Sequence, residues 1–270
     1  MPRVRRLLRV AVMAAVVAAT SSVPAVSART VSPFVVVQMN LCNSGMAKSC
    51  YTFGKSVDEA ASMVHRYAPN LVALQEVCRD DVYSRNGWGK VAQAMADLYG
   101  SENIMVDFMP AFDRLMGDGY RCLNGEQYGV ALVHNGDGRD SHHGWYSNQD
   151  RSREHRAWTC ATVIKNRLTG CTTHLSIDKD VAMRQCNELM SILATSRWAM
   201  PEIIISGDFN LVAEPGQPND VQNCALTKYF IRGDGALQQV FFTRGIQWVR
   251  GEFEAMRFTD HPVLCEWFKL

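Results

Sequence analysis

Five short polar interruptions stand at the edges of apolar stretches. They are Asn40 after Phe34 to Met39, Gln75-Glu76 after Leu71 to Leu74, and His174 after Cys171 to Thr173. Asp208 and Asn210 follow Ile203 to Ile205, and Asp260-His261 precede Val263 to Phe268. Carboxylate and amide oxygens suit a hard divalent cation, and imidazoles move protons near neutral pH. A single strand-end Glu or Asn is usually a turn residue, and a single His is usually structural. Five such points in one chain, each at a strand end, are where a sheet scaffold places chemistry.

The stretches that carry these residues must be the framework. Phe34 to Met39 is β-branched and reads as a buried strand, as do Leu71 to Leu74, Val130 to Val133 and Ile203 to Ile205. Ala157 to Ile164 and Cys171 to Ser176 read as two strands around a turn at Asn166 to Gly170. Ser56 and Glu59 fit a capping box for a helix carrying Val57, Ala60, Ala61 and Val64. Val91 to Tyr99 reads as a second helix. A third runs to about Ala199, with Asp180 as its expected cap. Asn135 to Asp150 reads as an exposed polar loop. Strands alternating with few helices imply an α/β sandwich of two mixed sheets faced by helices.

The chain has 270 residues, 47% of them hydrophobic and 20% charged, enough to bury a sizeable core. Arg3, Arg5, Arg6 and Arg9, then the apolar run Val10 to Ala19, then Val26-Ser27-Ala28 read as a signal peptide cleaved before Arg29. The run is too short to span a membrane, which takes about 20 residues. No later stretch approaches that length, so no transmembrane helix is expected, and residues 29–270 read as one domain of a secreted protein. Without residues 1–28 the chain holds 24 basic and 27 acidic residues, a net of −3. That excludes general adhesion to polyanions and makes any anion recognition local.

Nine cysteines lie beyond residue 28, at 42, 50, 78, 122, 160, 171, 186, 224 and 265. Secretion favours disulfides, and an odd count leaves one thiol over. Cys42 with Cys50 could staple a loop and Cys160 with Cys171 could bridge neighbouring strands. Cys186 with Cys224 and Cys78 with Cys122 would follow, leaving Cys265, although sequence does not fix connectivity. There is no Cys-x-x-Cys pair to suggest zinc.

Met39-Asn40-Leu41, Leu74-Gln75-Glu76, Thr173-His174-Leu175, Gly207-Asp208-Phe209-Asn210 and Thr259-Asp260-His261-Pro262-Val263 resemble, in order, the motifs of the endonuclease/exonuclease/phosphatase superfamily. The resemblance runs from about Phe34 to Phe268. Relatives include deoxyribonuclease I, the nuclease subunit of cytolethal distending toxins, and bacterial sphingomyelinases. It implies a four-layer α-β-β-α sandwich and hydrolysis of phosphate esters with Mg2+, or else Mn2+ or Ca2+. Glu76 and Asn40 are then expected metal ligands, with Asp260 a further ligand or supporting carboxylate. His261 and Asp208 would activate water, Asn210 would orient it, and His174 would bind phosphate or act as general acid. Arg156 is the expected phosphate-binding arginine, with Arg153 the alternative, and Glu126 would orient His174.

One position departs from the family pattern. An Asp usually supports the final His, but the matching stretch here is Leu237-Gln238-Gln239-Val240-Phe241, and Gln238 carries no charge. Asp234 is the other candidate. The leading expectation is a secreted nuclease acting on DNA. A lipid-directed phosphoesterase acting on phospholipid is the alternative, with Trp145-Tyr146 and Phe241-Phe242 as candidate membrane contacts. A binding protein with a weakened site is the third.

Overall fold

The computed structural model describes residues 32–136, 138, 140–225 and 227–270, and the expected signal peptide lies outside them. The strands of five residues or more and the long helices run in chain order as follows: β1 (Phe34–Asn40), α1 (Lys55–Tyr67), β2 (Leu71–Cys78), α2 (Lys90–Tyr99), β3 (Ile104–Pro110), β4 (Tyr128–Asn135), β5 (Ser141–Trp145), β6 (Ala157–Val163), β7 (Leu168–His174), α3 (Lys179–Thr195), β8 (Glu202–Asp208), β9 (Tyr229–Gly233), β10 (Gln238–Thr243), β11 (Gln247–Ala255) and β12 (Pro262–Lys269).

Two six-stranded sheets result. The first has the order β11-β12-β1-β2-β4-β3 and the second β9-β10-β8-β7-β6-β5. Both are mixed: β1 with β2 and β7 with β8 are parallel, while their other neighbours are antiparallel. Val35, Val37 and Met39 turn outward to meet Val57, Ala60 and Val64 of α1 and Met95 of α2. On the far side, Ile203 and Ile205 of β8 meet Ala182, Leu189 and Leu193 of α3. Helices therefore cover the outer face of each sheet, giving the expected four-layer α-β-β-α sandwich.

Between the sheets lies a third core that includes Phe34, Val36, Leu71, Ala73, Leu168, Ile204, Val240 and Phe242. Side chains alternate along a strand, so the same inward row continues as Gln38 and Asn40, Gln75, Thr172 and His174, Ser206 and Asp208, and Gln238. All eight are buried. The inter-sheet layer is thus apolar at one end and polar at the other. The polar end holds the candidate chemistry.

Several local expectations need correction. α1 begins after Gly54 with no side-chain cap; Ser56 is buried, and Glu59 instead accepts from the backbone of Arg257 and Phe258. α3 is capped by Asp178, which accepts from Asp180 N and Val181 N, so Asp180 lies inside the first turn. Part of the expected 135–150 loop is strand: Ser141–Trp145 pairs with β6 as the edge of the second sheet. Tyr146, Phe241 and Phe242 are core residues, and Trp145 donates to the Pro110 carbonyl. Phe241-Phe242 is therefore no membrane contact, while Trp145 stands half-exposed on the edge strand β5.

All four anticipated cysteine pairings form: Cys42–Cys50, Cys78–Cys122, Cys160–Cys171 and Cys186–Cys224. Cys160 and Cys171 are direct register partners across β6 and β7. Cys265 is the free, buried thiol. Among the described residues no helix is long and apolar enough to cross a membrane.

Candidate active site

Register places the polar row. His174 is the neighbour of Asp208 across β7 and β8, and Asp208 is the neighbour of Gln238 across β8 and β10. In the other sheet Asn40 stands beside Gln75. Glu76 has the wrong parity for the inward face, and the backbone corrects it. Glu76 takes φ 55° at a register shift between Gln75 and Val77, a bulge that swings its carboxylate toward Asn40.

The Asn40 amide links the two sheets. Its Nδ2 donates to Glu76 Oε1 at 3.0 Å and to Asp208 Oδ2 at 3.0 Å, while its Oδ1 accepts from Cys42 N. Burial pushes the Glu76 carboxyl up to about 7, offset in part by the Asn40 hydrogen bond. Its other neighbour is His174 Nε2 at 4.0 Å. Asp208 Oδ1 accepts from Asn210 N, and Asn210 Nδ2 donates to the Leu175 carbonyl, pinning the turn that leaves β8. His261 Nε2 lies 3.7 Å from Asp208 Oδ2 and 3.6 Å from Asp260 Oδ1. Thr259 Oγ1 donates to the Asn40 carbonyl and ties this last loop to the end of β1.

Arg156, not Arg153, reaches the site. Arg156 Nη1 donates to His174 Nδ1 at 2.8 Å and to Glu154 Oε1 at 2.9 Å, and its Nε is buried with no protein partner. Arg153 is held away from the site in a fork on Asp113. His174 is pushed well below the ordinary imidazole range, first by burial and then by Arg156 and His261. That environment disfavours the imidazolium form and suits the expected phosphate-binding role. Glu126 does not contact His174; its carboxylate accepts from Asp80 N in the short helix Arg79–Val82.

Glu154 is a neighbour of the candidate site that the motifs do not reveal. It stands two residues from Arg156, and alternation gives the two a common face. Gln38 and Gln75 are legible as polar residues inside apolar strands, but the motifs assign them no role. Their amides join Gln238: Gln38 Nε2 donates to Gln75 Oε1 and Gln238 Oε1, and Gln75 Nε2 donates to Gln38 Oε1 and Thr172 Oγ1. Gln238 Nε2 in turn contacts His261 Nδ1 at 3.1 Å, so Gln238 does occupy the supporting position. Asp234 is spent on the hairpin, accepting from Ala236 N and Gln238 N.

The donor set fits a hard cation. Glu76 and Asp208 are largely buried carboxylates joined through one amide, and burial raises Glu76. Asp260 stands exposed at the rim. The Cys42 and Cys50 sulfurs lie within 4.8 Å of an Asp260 oxygen, but they are bonded to each other and form a staple beside the site, not a ligand set.

Known proteins share this fold. The sequence model of the Endonuclease/Exonuclease/phosphatase family matches residues 50–262. An endonuclease/exonuclease/phosphatase structure from Beutenbergia cavernae is 16% identical, with a TM-score of 0.63 over 88% of this chain and 72% of that one. The human Nocturnin catalytic domain, with bound sulfate, is 16% identical at a TM-score of 0.62 over 88% and 93%. A mannosyl-6-phosphatase from Bacteroides thetaiotaomicron is 14% identical at 0.57 over 88% and 100%. Among curated proteins, none matches the chain. At such identities the solved structures speak for the fold, while the sequence match spans most of the chain. The chain belongs to the endonuclease/exonuclease/phosphatase family and has the fold of its phosphoric ester hydrolases.

Proposed function

We propose that the protein is a secreted phosphodiesterase that hydrolyses nucleic acid, DNA first, by metal-assisted attack of water. The observation that supports this most is the convergence of Asn40, Glu76, His174, Asp208, Asn210 and His261, from both sheets, at the polar end of the inter-sheet layer. Glu76 and Asn40, joined by Asp260, would hold a divalent cation, Mg2+ or else Mn2+ or Ca2+. When bound, it would neutralise charge gathering on the phosphate oxygens. Arg156 and His174 donate to the phosphate, a reading in keeping with the sulfate anion bound in the human Nocturnin catalytic domain. Asp208 and His261 handle the proton of the attacking water, and Asn210 orients it. The signal-like pattern of residues 1–28 and the four disulfides support an extracellular setting.

The test is nicking of supercoiled plasmid by residues 29–270 with Mg2+, with and without chelator, beside His261→Ala. Nicking that needs metal and is lost in the variant is the expected result. A folded protein that nicks neither DNA nor RNA would sink the nuclease reading.

A second reading, a lipid-directed phosphoesterase, is favoured by one observation. Phe53 is 82% exposed, Ile177 73% and Leu123 65%, and all three sit on loops leaving or flanking the strand ends of the site. Leu123 N donates to Ser44 O, which joins two of these loops. Sedimentation with sphingomyelin vesicles that is lost in Phe53→Ser would favour this reading.

A further inference from the structure

One side of the sandwich, where β9 and β11 are the outermost strands of their sheets, carries aromatic and basic side chains. Phe230 and Arg232 of β9 pair with Phe242 and Val240, while Trp248 and Phe253 of β11 pair with Phe268 and Leu264. Those four partners belong to the inter-sheet core, and directly opposed residues share a face. Phe230, Arg232, Trp248 and Phe253 therefore project into the gap between the sheets, but at its open edge, and all four are exposed. Among the described residues five aromatic side chains are exposed, and this edge holds three of them.

At one end Arg232 stacks on the Trp248 ring, 4.6 Å from its centroid, and bridges the two sheets; Arg244 stacks on Phe230 at 4.6 Å. These residues line a hollow of about 380 Å3. At the other end Phe253, Ala236 and Ala255 line a second hollow, of about 330 Å3, that reaches His261. Trp248 and Ala255 stand opposite Phe268 and Pro262 of β12, roughly 20 Å apart along the strand, so the row leads from the candidate active site along the edge. The nearby acids already have partners: Glu266 is buried and accepts from Trp248 Nε1 at 2.6 Å, and Asp234 holds the hairpin backbone.

An arginine on an aromatic ring is common in proteins and by itself marks nothing. Two such pairs and a third ring, strung on one line that ends at His261, offer π-faces and guanidinium forks at intervals, which is what unpaired bases and their phosphates need. Stacked sheets lie about 10 Å apart, so their open edge admits splayed bases and not a duplex. We infer that this edge is a track for single-stranded nucleic acid, with bases on Phe253, Trp248 and Phe230 and phosphates on Arg232 and Arg244, leading the strand to the candidate active site. The inference rests on the proposed nuclease reading and names the unpaired strand as the favoured form of the substrate.

The experiment is fluorescence anisotropy of a labelled oligothymidylate, beside a duplex of the same length, with chelator present so that nothing is hydrolysed. The single strand is expected to bind more tightly than the duplex. Phe253→Ser is expected to weaken it about fivefold or more, the loss of one stacked base. Arg232→Gln combined with Arg244→Gln is expected to flatten the slope of log affinity against log salt by about 1.4. Tighter binding of the duplex, unchanged affinity in Phe253→Ser or an unchanged slope in the arginine variant would each overturn the inference. Melting curves check that the variants fold; if one does not, ultraviolet cross-linking of a 4-thiothymidine strand to the unmutated protein decides. Cross-links within residues 229–233 or 247–255 would support the track, and cross-links only elsewhere would overturn it. Variants that lose sedimentation with sphingomyelin vesicles but keep oligonucleotide binding would assign the edge to lipid and overturn it too. A protein that binds the strand as described yet hydrolyses nothing loses the proposed activity and keeps the track. One that nicks plasmid while its variants bind the strand unchanged keeps the activity and loses the track.

Discussion

Gly207 lies against the Thr173 carbonyl oxygen so closely that a Cβ on it would come within 2.3 Å of that oxygen. The contact belongs to the parallel pairing that sets His174 beside Asp208. The glycine of Gly-Asp-Phe-Asn is therefore a spacing requirement, because backbone cannot yield as a flexible side chain does. Gly207→Ala is expected to cost about 1–3 kcal/mol in urea unfolding. It should also lower activity beyond what lost stability explains, because the pair is pushed out of register. An unchanged midpoint would refute the spacing argument.

Glu76 predicts a pH-dependent response to metal. Its carboxyl is raised from 4.5 to about 7 by burial, so folding favours its protonated form. The stabilisation from this group is complete below about 4.5 and is lost as pH rises through about 7, a difference on the order of 3 kcal/mol. A cation that binds the ionised carboxylate offsets the loss. Mg2+ is expected to raise the melting temperature clearly at pH 8 and hardly at pH 5. Glu76→Gln should abolish the difference, and an equal Mg2+ effect at both pH values in the unmutated protein would count against Glu76 as a ligand.

The Arg156–Glu154 pair is largely buried on both sides, with 2.9 Å between Nη1 and Oε1. Removing one member of such a pair strands the other and typically costs about 3–5 kcal/mol. Arg156→Met is expected to fall in that range. Glu154→Gln added to it should recover part of the loss, because no charge then remains uncompensated. Strict additivity in the double-mutant cycle would show that the pair is not coupled.

The disulfides should rank by the length of chain they close. Cys186–Cys224 spans 38 residues and Cys160–Cys171 spans 11. Loop-closure entropy gives about 4 kcal/mol for the first and about 3 kcal/mol for the second. Paired Cys→Ser variants compared by urea unfolding check the order. A larger loss at the shorter bridge would show that packing, not loop closure, governs these bonds.

The inward row of the sandwich is legible in the amino-acid sequence, because alternation is a property of residue order. Asn40, His174 and Asp208 each sit an even number of residues from an apolar partner of the inter-sheet core: Phe34, Leu168 and Ile204. The four cysteine pairings form as anticipated, but spacing left their connectivity open and only the fold brings each pair together. Features in which tertiary contacts outweigh local preference are not legible. Glu59 meets the Arg257 and Phe258 backbone instead of closing a capping box, and Asp178 takes the cap expected of Asp180. Ser141–Trp145 is polar and histidine-rich, yet an edge position against β6 makes it a strand. Family resemblance gives Glu126 the task of orienting His174, but it is Arg156 that contacts the ring. Glu154 carries no motif of its own, because its importance lies in its partner.

The bond from Thr259 Oγ1 to the Asn40 carbonyl, and the pairing of β1 with β12, join the beginning of the fold to its end. A ribosome makes Asn40 early and His261 among the last residues of the domain. Until that final stretch emerges and docks, the growing chain holds the Asn40 side of the candidate site without His261, so assembly of the site is the last event of folding and not a local one.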